Sequence, residues 1–164
     1  MLGSQNPASN EAATQESGLT HGASFPIIGK EAPTSIIEEV QMAKIIVVSA
    51  SNVQLIAVEH LLKMVNHEVA TYDSVYEMES NLKAENPDLI LMDIVMSVKN
   101  GYQLCRQLKE DDRYMRIPII LCAEAQDVRE TEKFWSKQMG ANGFLQKPIK
   151  TEDLFKAVDR LLSR

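Results

Sequence analysis

Five short apolar runs alternate with five segments in which apolar residues recur every three or four positions. Runs of β-branched residues such as KIIVVS (44–49) are typical of strands buried on both faces, whereas the three-to-four spacing predicts amphipathic helices. The predicted strands are 44–49, 67–72, 87–93, 117–122 and 143–146, and the predicted helices are 52–65, 74–84, 101–110, 127–139 and 151–163. This alternation predicts an α/β fold, a doubly wound parallel sheet with helices on both faces.

The connections of such a sheet restrict its topology. Crossovers between parallel strands are right-handed, and the flavodoxin-like (βα)5 order 2-1-3-4-5 is the natural one for a chain of this length. Sheets of this kind place their sites beyond the carboxyl ends of the strands, near the switch between strands 1 and 3. The residues expected there are Ser49, Ala50, Asp93, Ala123 and Lys147.

The N-terminal part of the chain differs in composition from the rest. Residues 1–42 contain five acidic residues and one basic residue, a net charge of −4, and open with small polar residues such as GSQNPASNEAATQESG. A segment of this kind cannot bury enough surface to offset its ordering entropy, so we expect residues 1–42 to be a disordered acidic segment and residues 43–164 to fold. Residues 23–41 add several apolar side chains, which makes them a candidate docking peptide for a protein partner.

Composition and charge pattern exclude several classes of protein. The chain has neither an apolar run of 18 residues nor a basic stripe, so neither membrane insertion nor nucleic-acid binding is expected. We find no signal peptide. Cys105 and Cys122 lie in separate predicted elements and are expected to be reduced and buried, which favours a cytoplasmic location.

Three motifs, in order and at suitable spacing, resemble those of the response-regulator receiver domains of two-component signalling. LILMDIVMSVKNGYQLCRQLKED resembles the stretch around the phospho-accepting aspartate, IPIILCAEA the fourth strand, and GANGFLQKPI the segment that ends in a Lys-Pro pair. The resemblance covers about residues 43–164 and is closest in character to receivers of chemosensory and twitching-motility systems. It implies a bacterial signalling protein rather than an enzyme.

The resemblance assigns roles to individual positions. Asp93 is the implied phospho-acceptor, Lys147 the lysine that neutralises the phosphoryl group, and Phe144 the aromatic switch residue. The bond from Lys147 to Pro148 is typically cis in the family. In the family, two acidic residues after strand 1 help the aspartate to hold Mg²⁺, and a Thr or Ser after strand 4 binds the phosphoryl oxygen.

Two of these features are missing from the sequence. Ser49 and Ala50 occupy the positions of the acidic pair, and Ala123 occupies the position of the hydroxyl. Glu124 is the only nearby acid that we can propose as a substitute ligand, so the implied cofactor is at most a weakly held Mg²⁺ at Asp93. His60 and His67 have no further ligands at suitable spacing, and we expect no other metal site.

The sequence therefore predicts a pseudo-receiver that acts through protein–protein interaction independently of phosphorylation. Asp93 and Lys147 are expected to persist as a buried ion pair. Partners are expected on the face made by the fourth predicted helix, the fifth strand and the last helix, with Trp135, Phe144 and Lys147 in the contact. One alternative is an atypical response regulator that a histidine kinase phosphorylates on Asp93. Another, a flavin- or nucleotide-binding enzyme, is disfavoured because the turn SASN lacks the glycines of a phosphate-binding loop.

Overall fold

The computed structural model describes residues 41–125, 138 and 140–163, and these residues form a parallel sheet with helices on both faces. The sheet order is β2-β1-β3-β4-β5, so the predicted flavodoxin-like fold is confirmed. The elements are β1 (Lys44–Val48), α1 (Asn52–Met64), β2 (Glu68–Tyr72), α2 (Val75–Glu85), β3 (Leu89–Asp93), α3 (Gly101–Glu110), β4 (Ile119–Glu124), β5 (Gly143–Lys147) and α4 (Thr151–Leu162).

Several predictions concern residues outside the described ranges. Residues 1–40 of the segment 1–42, which we expect to be disordered, lie outside the described ranges. The candidate docking peptide 23–41 lies outside them as well, except for residue 41. The predicted helix 127–139 and its Trp135 also lie outside, apart from the helical residue Gln138. Among the described residues, no helix combines the length and the apolar character that crossing a membrane requires.

Alternate residues of each central strand face opposite sides of the sheet, as the two-residue period of a strand requires. One side packs against α2 and α3, through Val75, Met78, Leu82, Leu104, Cys105 and Leu108. The other packs against α1 and α4, through Leu55, Val58, Leu62, Leu154, Val158 and Leu161. The central strands are therefore buried on both faces, which explains their continuous apolar sequences.

Several boundaries differ from the prediction by one or two residues. β4 begins at Ile119 because Pro118 has no N–H for the ladder, and it continues to Glu124, two residues further than predicted, by pairing with β5. Helix α4 begins at Thr151, as predicted, with Lys150 as its N-cap. Glu152 and Asp153 lie in the first turn, where they interact favourably with the helix dipole.

The two cysteines lie on opposite sides of the sheet. Cys105 belongs to the cluster under α2 and α3, and Cys122 to the cluster under α1 and α4. Both are buried, and these two described residues are not joined in a disulfide. Burial raises the pKa of the Cys105 thiol to about 11 and also raises the pKa of Cys122, so both act as small apolar core residues.

The turn between β3 and α3 requires a glycine at its end. The Gly101 N–H donates to the Ile94 carbonyl at 2.8 Å, which brings the start of α3 against the backbone at the end of β3. A Cβ at position 101 would overlap the carbonyl oxygen of Asp93 and come within 3.0 Å of Ile94 Cα. Both atoms belong to the backbone, so neither can rotate away.

We therefore expect Gly101→Ala to lower the free energy of unfolding by at least about 2 kcal/mol, through overpacking against β3. Urea unfolding followed by circular dichroism measures this change. Gln103→Ala is the control, because Gln103 is exposed on the same helix, and such surface changes stay within about 0.5 kcal/mol. Equal stability of the two variants would show that β3 and α3 do not approach as closely as described.

A polar network joins the start of β1 to β2 and to the end of α2. The Tyr72 hydroxyl donates to Glu85 at 2.7 Å, and Lys44 pairs with Glu85 at 2.6 Å and with Glu68 at 3.0 Å. Burial, and then the hydrogen bond to Glu85, raise the pKa of Tyr72 to about 12. The same contacts, from Lys44 first and then Tyr72, lower the pKa of Glu85.

The raised pKa of Tyr72 predicts a loss of stability in alkali. The unfolded chain loses this proton near the ordinary value of 10.0 and the folded chain only at about 12, so the contribution is intact below pH 10 and is lost between these values. Denaturant unfolding from pH 9 to 12 should show a shallower alkaline loss for Tyr72→Phe than for the wild type. Tyr76→Phe, which removes an exposed hydroxyl, is the control, and an identical slope in all three proteins would contradict the prediction.

Candidate functional site

Asp93 lies at the centre of the candidate site. It is the last residue of β3, between β1 and β4 in the sheet, and it is only 2% exposed. The turn after β1 and the end of β5 converge on it, because parallel strands finish at the same edge of the sheet. A carboxylate buried to this extent requires hydrogen-bonding or charged partners to offset its lost hydration.

Two donors approach the Oδ2 oxygen of Asp93. The Ser49 hydroxyl, which is fully buried, donates to it at 2.6 Å. The Lys147 ammonium pairs with the same oxygen at 2.8 Å, and its side chain is 19% exposed. The Asp93–Lys147 ion pair suggested by the sequence is thus present, with Ser49 as a third member.

The Oδ1 oxygen is held by a residue that the sequence analysis missed. The Gln54 side-chain amide donates to it through Nε2 at 2.7 Å. A carboxylate only accepts hydrogen bonds, so the nitrogen and not the oxygen of this amide must face Asp93. Both oxygens of Asp93 are therefore held, by donors from the turn after β1, from α1 and from β5.

The sequence pattern that could have identified Gln54 is at the start of α1. Ser51 and Gln54 have the S-x-x-Q spacing of a capping box, in which the glutamine side chain normally bonds the N-cap N–H. Half of the box is present, since the Gln54 N–H donates to Ser51 Oγ at 3.4 Å. However, Ser49 Oγ accepts from the Ser51 N–H at 3.1 Å, which leaves the Gln54 side chain available for Asp93.

The remaining candidate residues lie around this network. Ala50 is exposed in the turn after β1, and Ala123 is buried near the end of β4. Phe144 is half-buried and packs against the cluster that contains Ala123. Glu124 is exposed at the end of β4 and, within the described part of the chain, is not among the partners of Asp93. The Lys147–Pro148 peptide bond is cis, as the resemblance implied.

The donor set does not fit Mg²⁺. This ion needs a near-octahedral shell of oxygen ligands and is usually held by one or two carboxylates with several waters. Here one carboxylate is present, and both of its oxygens already accept bonds from N–H, O–H or ammonium donors. Within the described residues, no three His, Cys, Asp or Glu side chains are grouped to hold a metal, and His67 instead accepts from the Ala43 N–H at 3.3 Å.

These contacts predict that two substitutions of Asp93 destabilise the fold to different extents. We expect Asp93→Ala to lower the free energy of unfolding by about 3 kcal/mol, because it leaves the Lys147 ammonium, the buried Ser49 hydroxyl and the Gln54 amide without their acceptor. Asp93→Asn should cost roughly 1 kcal/mol, because its oxygen still accepts and Gln54 can rotate to accept from its amide. Urea unfolding at pH 7 distinguishes the two, and an Asp93→Ala variant as stable as the wild type would contradict the donor arrangement.

Comparisons with known proteins agree with this fold. The family model for the response regulator receiver domain matches residues 34–159. Protein PilH of Pseudomonas aeruginosa is 34% identical over 122 residues, covering 74% of this chain and 99% of PilH. Protein PilG of the same organism is 26% identical over 70% of this chain and 84% of its own length. The chain spans only 44% of another relative, the DNA-binding transcriptional regulator RpaA of Synechocystis.

Solved structures agree as well. The chemotaxis response regulator CheY4 of Vibrio cholerae superposes with a TM-score of 0.66 at 29% identity, covering 74% of this chain and 99% of CheY4. The receiver domain of a histidine kinase from Syntrophus aciditrophicus superposes with a TM-score of 0.67 at 33% identity, covering 74% of this chain and 90% of that one. The order of the sheet, the placement of Asp93 and Lys147, and these matches establish that the chain belongs to the response regulator receiver domain family.

Proposed function

We propose that this receiver domain is a pseudo-receiver that signals through protein contacts without being phosphorylated. The observation that carries the proposal is the state of Asp93, whose two oxygens are held by Ser49, Gln54 and Lys147. Phosphoryl transfer to a carboxylate requires an accessible oxygen and cations that neutralise the transferred group. In this site the carboxylate is buried, and the one nearby cation of the network, Lys147, is already paired with it.

The residues that would transmit a phosphorylation signal from Asp93 support the same proposal. In the receiver mechanism a hydroxyl after strand 4 contacts the phosphoryl group and an aromatic residue on strand 5 responds. Here Ala123 has no hydroxyl, and Phe144 already packs against the cluster to which Ala123 belongs. A phosphoryl group at Asp93 would therefore lack the contact that transmits its presence.

Binding to a protein partner is the means of output that we propose. The partner face that we propose contains Phe144 and Lys147, with Trp135 as its further member. Large apolar side chains are also exposed on α1 and after β3, namely Val53, Ile56, Met64, Val95 and Val98. Exposed apolar groups of this kind favour protein contacts over catalysis. Similarity to PilH, PilG and the chemotaxis response regulator CheY4 supports a role in a chemosensory or motility system, and the location that we propose is the cytoplasm.

The alternative is an atypical response regulator in which a histidine kinase phosphorylates Asp93. The retained Asp93–Lys147 pair favours it, because these two groups are the acceptor and the lysine of the receiver mechanism. It requires Gln54 and Ser49 to leave Asp93 and weakly bound Mg²⁺ to enter. The two functions therefore predict different responses to Mg²⁺ and to a phosphoryl mimic.

An amide NMR titration of the full chain separates them. We expect no shifts at Asp93, Ala123 or Phe144 when millimolar Mg²⁺ is added, followed by beryllofluoride, which mimics an aspartyl phosphate. Incubation with acetyl phosphate and Mg²⁺ should likewise leave the mass of the protein unchanged.

Asp93→Asn is the control for this titration, since it cannot form an aspartyl phosphate. Shifts at Ala123 and Phe144 that occur in the wild type and disappear in Asp93→Asn would overturn the pseudo-receiver proposal and establish the alternative.

A further inference from the structure

We propose that Gln54 is the positioning residue that takes the place of a divalent cation at Asp93 and keeps such cations out of the site. This inference rests on the pseudo-receiver function proposed above and names the residue responsible for it. Gln54 touches neither a substrate nor a cofactor, and it acts through the carboxylate of Asp93.

The first argument is the distribution of donors on the carboxylate. Oδ2 already accepts from Ser49 and from Lys147, so Oδ1 is the oxygen with the most capacity left for a cation. The Gln54 amide nitrogen lies 2.7 Å from Oδ1 and directs the positive end of its dipole at it. A metal–oxygen bond is about 2.0–2.1 Å long for Mg²⁺, so an ion bound to Oδ1 on this side would require Gln54 to leave.

The second argument is that the helix start is arranged to supply this side chain. In a capping box the third helical residue bonds back to the N-cap N–H. Ser49 takes over that bond, since its Oγ accepts from the Ser51 N–H at 3.1 Å while its hydroxyl donates to Asp93. Ser49, at a position where the family has a metal ligand, thus both accepts from the N–H of the N-cap residue and holds the carboxylate.

The third argument concerns the chemistry of a one-atom change. Gln54→Glu replaces the amide nitrogen by an oxygen with little change in shape. Two carboxylates would then face each other at hydrogen-bonding distance, with Lys147 paired to the far oxygen of Asp93. Two like charges this close repel, and a divalent cation between them relieves the repulsion. The variant should therefore bind the cation that the wild type excludes.

The experiment measures Mn²⁺ binding to the full chain, because this paramagnetic ion broadens amide signals near its site. We compare the wild type with Gln54→Glu, Gln54→Ala and the matched control Gln103→Glu, which adds the same charge at an exposed site on α3. We expect selective broadening at Asp93 and Ile94 in Gln54→Glu at a Mn²⁺ concentration at least tenfold lower than in the wild type or in Gln103→Glu. In Gln54→Ala the carbon signal of the Asp93 carboxyl should shift, because it loses its Oδ1 donor.

The outcomes are separable. Equal broadening in Gln54→Glu and Gln103→Glu would overturn the inference, because the effect would then be one of net charge alone. If Gln54→Glu does not fold, an unchanged Asp93 carboxyl signal in Gln54→Ala overturns it, and a shifted signal supports it. Failure of the proposed function has a different signature, namely a wild-type response to beryllofluoride at Ala123 and Phe144, whatever the Mn²⁺ affinity of the variants.

Discussion

The carboxylate of Asp93 is the group on which the local structure at the carboxyl edge of the sheet depends. It accepts from a serine after β1, a glutamine in the first turn of α1 and a lysine at the end of β5. Because the group is 2% exposed, these bonds replace its hydration, and each of the three elements is held in register with β3 by a charge-assisted bond. The carbonyl oxygen of the same residue leaves no room for a Cβ at position 101, so the first residue of α3 has to be glycine.

This arrangement also determines what kind of signalling the fold supports. A receiver that is phosphorylated needs a site with uncompensated negative charge, which a metal ion and then a phosphoryl group can enter. In this chain the charge is compensated from within, by an ammonium, a hydroxyl and an amide. In the pseudo-receiver that we propose, the receiver fold is retained and these hydrogen bonds take the place of metal binding at Asp93.

Much of the fold follows from residue patterns that are local in the sequence. The apolar strands and the three-to-four spacing of the helices predicted the order of the elements, because both faces of the sheet had to be covered. The predicted end of β4 was wrong because a local pattern competed with pairing in the sheet. Ala123 and Glu124 joined β4 because β5 offered pairing partners. The candidate site was anticipated at Asp93, Lys147 and Ser49, whose positions at strand ends follow from topology.

The sequence by itself determined the fold class, the place of the site at the carboxyl edge, and the loss of the acidic pair and the hydroxyl at Ser49, Ala50 and Ala123. Only the tertiary structure decided what replaced them. Glu124, the substitute ligand suggested by its sequence position, is exposed, whereas Gln54 bonds to Asp93 across 39 positions of the chain. The start of a helix determines the direction in which its third side chain points. Whether that side chain bonds to its own N-cap or to a neighbouring strand depends on how the helix packs against the sheet.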